Sequence, residues 1–95
     1  MVKIEWNQKA KDDLLGIIEY ISDDNPVAAQ NLKNEIDKLV ILLQKFPHMG
    51  RLGRVEPTRE LVINEHFILI YSVISAKKVV ILRILSTYQS WSHYP

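Results

Sequence analysis

Four arginines, Arg51, Arg54, Arg59 and Arg83, stand in the second half of a chain whose first half has none. A guanidinium presents a planar fork of donors that suits bidentate contact with phosphate or carboxylate. Among and after them come Tyr71, Tyr88, Trp91 and Tyr94, whose rings can stack on unpaired bases. Arginine and aromatic together describe a groove for single-stranded nucleic acid. The same two residue types dominate the hot spots of protein interfaces. They also describe a plain surface on which loop arginines solubilise while Tyr71 and Trp91 pack. Residue types alone leave all three readings open.

Other chemistries find little support. His48, His66 and His93 are far apart and show neither HxxxH nor HExxH spacing, so no metal site is expected. With no Cys in the chain, thiol nucleophiles, redox dithiols and Cys-ligated zinc are excluded. There is no GxSxG elbow and no phosphate-binding glycine loop. Gly50-Arg51-Leu52-Gly53 lacks a third glycine and precedes no helical pattern, so no nucleotide cofactor, and no other cofactor, is expected. Asp12-Asp13 and Asp23-Asp24 read as a solvated helix face and a helix end rather than as catalytic carboxylate pairs.

The elements that must position these residues follow from periodicity. Val2, Ile4 and Trp6 alternate with Lys3 and Glu5, the period of a half-buried strand over residues 2–6. Asn7 then caps a helix over 8–22, whose apolar stripe is Ala10, Leu14, Ile17, Ile18 and Ile21. Asn25-Pro26 reads as the cap and first residue of a second helix. That helix carries Ala28, Ala29, Leu32, Ile36, Leu39, Val40 and Leu43 and ends near Phe46-Pro47, because the residue before a proline is pushed out of the helical region. So short a linker forces an antiparallel hairpin.

Residues 47–57, with two glycines and two arginines, read as an exposed basic loop. Three strands follow, over 59–63, 67–74 and 79–85. The middle one is nearly continuous in apolar residues, as a strand buried on both faces must be. Strict alternation in the last strand sends Val80, Leu82 and Ile84 one way and Val79, Ile81, Arg83 and Leu85 the other. Arg83 is anomalous there, and is expected either to face the open side of the sheet or to pair with Glu60. The order is β-α-α-β-β-β: an α+β domain with a helical hairpin packed on a mainly antiparallel four-stranded sheet. Residues 86–95 are polar and aromatic and carry no regular period.

At 95 residues, 47% hydrophobic and 24% charged, the chain has room for one core, and residues 1–95 are expected to form a single domain. A domain of this size buries only about 60–65% of the surface its unfolded chain exposes, so a stabilising partner suits it. Nothing resembles a bilayer-spanning run or a signal peptide, so the expected location is cytoplasmic, with no membrane partner. Net charge is +1, but residues 1–50 carry six Lys against eight Asp and Glu, a net of −2, and residues 51–95 carry six Lys and Arg against three Glu, a net of +3.

Several separated motifs in fixed order carry a further likeness. Pro47-His48-Met49-Gly50-Arg51-Leu52-Gly53-Arg54, Thr58-Arg59-Glu60-Leu61-Val62, Ile70-Tyr71, Val80-Ile81-Leu82-Arg83-Ile84-Leu85 and Gln89-Ser90-Trp91 resemble the RelE/ParE superfamily of bacterial toxins. Trp6, Ala10, Tyr20-Ile21 and Pro26-Ala28-Ala29 extend the resemblance over the whole chain. It implies the toxin of a type II toxin–antitoxin pair, of the kind called plasmid-stabilisation proteins. Such a toxin is neutralised by a small antitoxin encoded beside it, and operator DNA is met only indirectly, through the antitoxin.

Two activities occur in that superfamily: RelE-like members cut mRNA in the ribosomal A site, and ParE-like members poison DNA gyrase without being nucleases. RNA cleavage needs basic groups to activate the 2′-hydroxyl and stabilise the phosphorane, with an acid for the leaving oxygen. The resemblance implies Arg59, Arg83 and Tyr88 as that reduced set if the chain is a nuclease. Against it, Ile68, Ser72 and Ser86 stand where the family often carries a basic residue, an Arg and a His. The loop and strand motifs are more ParE-like. The expected function is therefore gyrase inhibition, with Arg51, Arg54, Arg59 and Trp91 as target-binding residues. The alternatives are an mRNA endonuclease, or a degenerate partner that only binds antitoxin.

Overall fold

The computed structural model describes residues 1–87, so Tyr88, Trp91, His93 and Tyr94 lie outside the described residues. The elements run β1 (Lys3–Trp6), α1 (Gln8–Asp24), α2 (Pro26–Lys45), β2 (Arg51–Leu52), β3 (Thr58–Val62), β4 (Phe67–Ser75) and β5 (Lys78–Ser86). They form one mixed sheet of order β1-β5-β4-β3-β2, with β1 parallel to β5 and every other pair antiparallel. The expected α+β arrangement is present, with five strands rather than four. The fifth, β2, lies inside the segment read as an exposed loop. Two residues paired with Glu60 and Arg59 are too few to leave a periodic signal.

Local chemistry sets the helix ends. The Asn7 side chain accepts the Ala10 N–H at 2.9 Å. Asn25 closes one helix and opens the next: its N–H donates to Ile21 O at 2.8 Å, and its side chain accepts the Ala28 N–H at 3.1 Å. Pro26 follows at the first helical position, where a missing N–H costs nothing. With both functions met by one residue, α1 continues two residues past its expected end at Ser22.

The core lies between the hairpin and the sheet. Ala10 and Leu43 pack with Leu61, Leu69, Tyr71, Val79 and Ile81; Leu32 and Ile36 pack with Ile84. Ile68, Ile70 and Leu85, joined by Leu82, form a separate cluster on the other face of the sheet, so β4 is buried on both faces as its composition predicts. Strict alternation fails in β5. Tyr71 pairs with Ile81 and Ile70 with Arg83, which leaves Leu82 as an inserted residue. The bulge reverses the parity beyond it: Val79, Ile81 and Ile84 meet the helix side, and Leu82 and Leu85 the other.

Candidate functional site

Two of the four arginines gather where the 47–57 segment crosses the end of β3, and a third sits on the turn between β2 and β3. Arg59 donates through Nη1 to the backbone carbonyls of Gly50 at 2.8 Å and His48 at 3.2 Å. Tyr71, in the next strand and fully buried, works from below: its hydroxyl accepts the Gly50 N–H at 2.9 Å and donates to Pro47 O at 2.8 Å. Burial pushes the Tyr71 hydroxyl above its ordinary value, and the Gly50 N–H and the charge of Arg59 partly oppose this. Gly50 is required here. A Cβ on it would lie 2.7 Å from Glu60 O, 2.7 Å from the Tyr71 hydroxyl and 2.8 Å from the ring.

Arg51 anchors the loop from the sheet side, with Nε 3.0 Å from Glu60 Oε1. The pair is lopsided: the Arg51 side chain is 64% exposed and that of Glu60 only 2%. Glu60 Oε2 is buried and has no hydrogen-bond partner among the described residues. The carboxylate thus needs Arg51, while much of the guanidinium still faces water. Arg54 is exposed on the turn, whose base is closed by Gly53 N–H to Thr58 O at 2.7 Å and by the Thr58 hydroxyl on Val55 O. Beside this loop a groove of about 380 Å³ is lined by His48, Leu52, Pro57, Arg59 and Val73.

Arg83 does not join them. In register, Arg51, Glu60, Ile70 and Arg83 follow one another across four strands, about 14 Å from first to last at the usual strand spacing. The expected pairing of Arg83 with Glu60 is overturned, since Glu60 is taken by Arg51. So is the open-face alternative: Arg83 binds Asp13 on α1, with Nε–Oδ2 2.7 Å and Nη2–Oδ1 3.1 Å. Asp13 holds the Arg83 proton more firmly than usual. It also accepts the Ile84 N–H at 3.0 Å. The reason is topological. Parallel β1 covers β5 only from Lys78 to Ile81, and where β1 turns into α1 the next edge N–H needs another acceptor.

Of the residues singled out from sequence, Arg51, Arg54 and Arg59 come together around one loop. Arg83 is diverted to α1, and Tyr71 becomes an internal strut rather than a stacking platform. Tyr88 and Trp91 lie outside the described residues. Asp13, read as part of a solvated face, was missed. Its spacing, three residues after Ala10 and four before Ile17, puts it in phase with the apolar stripe of α1, which is where a solvated carboxylate does not belong.

Residues 4–91 match the family model of the ParE toxin of the type II toxin–antitoxin system parDE. The chain is 34% identical over 90 residues, 94% of its length and 92% of the relative's, to the Y4kP protein of Sinorhizobium fredii, a protein named as a toxin. To toxin RelE2 of Caulobacter vibrioides it is 32% identical over 73 residues, 77% of this chain and 82% of that one. Among solved structures, a chain of the chromosomal ParDE system of P. aeruginosa superposes with a TM-score of 0.76 at 28% identity, covering 90% of this chain and 96% of that one. The YoeB/ParE toxin of Agrobacterium tumefaciens, at 14% identity and a TM-score of 0.65 over 92% of this chain and all of that one, shares the fold. With strand order, helical hairpin and family model in agreement, this chain belongs to the ParE toxin family of the RelE/ParE superfamily and is the toxin of a type II toxin–antitoxin system.

Proposed function

We propose that this toxin inhibits DNA gyrase and replication, as ParE-like toxins do, rather than cutting mRNA. The observation that carries the reading is the state of the two arginines a nuclease would use. Arg83 gives Nε and Nη2 to Asp13, so its charge is neutralised inside the fold. Arg59 gives Nη1 to two backbone carbonyls and holds the loop. Arg83 is thereby committed, and Arg59 spends one terminal nitrogen on the loop, which leaves fewer donors to aim at a phosphorane as its charge develops. The ParE family match and the 28% identity to a ParDE chain support the same reading.

Target binding then falls to the tethered loop. Tyr71 and Arg59 fix its backbone from below, and Arg51 and Arg54 present cations on its exposed side, with Trp91 as a further contact. Steering by such a patch raises association rates and is sensitive to salt. The toxin works in the cytoplasm, is neutralised by its cognate antitoxin, reaches operator DNA only through that antitoxin, and serves plasmid stabilisation. The 32% identity to toxin RelE2 favours the second reading, a ribosome-dependent mRNA endonuclease using Arg59, Arg83 and Tyr88.

The deciding experiment is pulse incorporation of labelled thymidine and labelled amino acid in the minutes after the toxin is induced without antitoxin. DNA synthesis falling first, with purified toxin trapping cleaved DNA on gyrase, is the expected result. Translation falling first, with mRNA cut in the A site, would replace this reading by the second.

A further inference from the structure

The net charge of +1 hides a division along the length of the sheet. Residues distant in the chain meet at one end of it. The Val2 N–H donates to Gln44 O at 3.2 Å and the Lys3 N–H to Lys77 O at 2.8 Å, so the start of β1, the end of α2 and the β4–β5 turn are neighbours. The start of β3 joins them, since Thr58 pairs with Ser72 and Val73 with Val79. This end carries Lys3, Lys45, Arg54, Arg59, Lys77 and Lys78 against Glu5 and Glu56, a net of +4, so the rest of the chain nets −3. Residues 88–95 hold no Asp, Glu, Lys or Arg, and the balance therefore rests on described residues. At the opposite end the sign reverses. Asp23 and Asp24 close α1 and Glu65 lies in the β3–β4 turn, and Ile21 and Phe67, from those two segments, line one groove.

The cations of the basic end point outward. Lys3 and Lys78 share Glu5, with Nζ 3.5 and 3.1 Å from its carboxylate oxygens, yet their side chains stay 73% and 41% exposed. Lys45, Arg54 and Lys77 are exposed as well. Arg59 is held by carbonyls, which leave its charge in place. From β1 to β2 the sheet spans four strand spacings, about 19 Å. Duplex DNA carries one charge per about 1.7 Å of axis, or one per about 3.4 Å on each strand, so about five phosphates of one strand match that width.

We infer that this basic end is a docking surface for the phosphate backbone of duplex DNA, held without regard to sequence. Lysine, a point charge on a flexible stem, neutralises phosphate and reads no base. Operator recognition, which needs base contacts, stays with the antitoxin. A single strand would need successive aromatic platforms, and among the described residues at this end Tyr71 is buried and Phe46 is the one exposed ring. The opposite, acidic end turns the molecule so that the basic end meets the DNA first. The inference goes beyond the gyrase reading and does not depend on it, because DNA binding is measured with no gyrase present.

The test is fluorescence anisotropy of a labelled duplex of unrelated sequence, titrated with purified toxin from about 50 to about 200 mM salt. A net of about four phosphates neutralised gives a slope of log K against log salt near about −3.6, and affinity should fall roughly 100-fold across that range. The double variant Lys45→Gln with Lys77→Gln should make the slope shallower by about 2 and weaken binding. Lys11→Gln with Lys33→Gln removes the same charge from the groove between the helices and should leave the slope unchanged. Thermal denaturation of each variant confirms that it is folded. Equal losses from the two double variants overturn the inference. So does absence of duplex binding at the lowest salt, or tighter binding of a single strand or of polyglutamate than of the duplex.

Discussion

Replacing Arg83 by Met and Asp13 by Asn, singly and together, separates a structural arginine from one that acts on a target. Each side chain is just under one-fifth exposed, 19% for Arg83 and 18% for Asp13. Exposed pairs contribute about 0–1 kcal/mol and breaking a fully buried pair costs about 3–5 kcal/mol. Two charge-assisted bonds with four-fifths of each side chain covered fall between, so each single substitution should cost about 2–3 kcal/mol. For a domain of this size that is roughly 10–20 °C in Tm. The double variant keeps an Asn oxygen for the Ile84 N–H and removes both charges. It should be much more stable than the sum of the singles implies, with a coupling of about 1.5 kcal/mol or more. The assay is urea denaturation of all four proteins, with growth arrest scored on the double variant. Additive losses, with coupling under about 0.5 kcal/mol, would refute the proposed pairing. A well-folded double variant that has lost toxicity would show that Arg83 acts on the target directly, and would return weight to the nuclease reading.

Two further outcomes follow from the tether of the basic loop. Tyr71→Phe leaves the Gly50 N–H and the Pro47 carbonyl without their partner and should cost about 1–3 kcal/mol, and Gly50→Ala, whose Cβ meets Tyr71 and Glu60 at 2.7 Å, should cost about as much by overpacking; denaturant midpoints check both. Because the folded Tyr71 pKa is raised above its ordinary 10.0, its contribution is fully present below pH 10, where the unfolded tyrosine is also neutral, and fades as pH rises from there through the folded pKa. Parent stability should therefore fall faster than that of Tyr71→Phe in alkaline titration. For the loop cations, Arg54→Glu should reduce toxicity, whereas Arg51→Ala should destabilise because it strands the Glu60 carboxylate. Adding Glu60→Gln should restore much of that stability, and equal stability of Arg51→Ala and parent in denaturant would contradict the role given to the pair.

Helix boundaries and the sequence of the longer elements along the chain were legible because they are written in local chemistry. Asn7, Asn25 and Pro26 fix helix ends within a few residues of themselves, and the 3.6 and 2.0 periods of the apolar residues mark α1, α2 and β1. The unbroken apolar run of β4 required cover on both faces, which Ile68, Ile70, Leu69 and Tyr71 receive. The cluster of Arg51, Arg54 and Arg59 was visible as well, since the three lie close together in the chain.

What the sequence left open depends on partners far along the chain. The bulge at Leu82 is one inserted residue against an antiparallel neighbour, and no spacing within β5 announces it, yet it decides which side chains meet the helices. Asp13 and Arg83 are separated by 70 positions and meet only because β1 ends at Trp6 and α1 passes over the open edge of β5. Glu60 is buried because β2 lies beside β3, and β2 exists only in that pairing. A residue type announces what chemistry is possible. Whether Arg83 offers its charge to a target or gives it to a carboxylate is set by which backbone edge is left uncovered, and only the tertiary structure decides that.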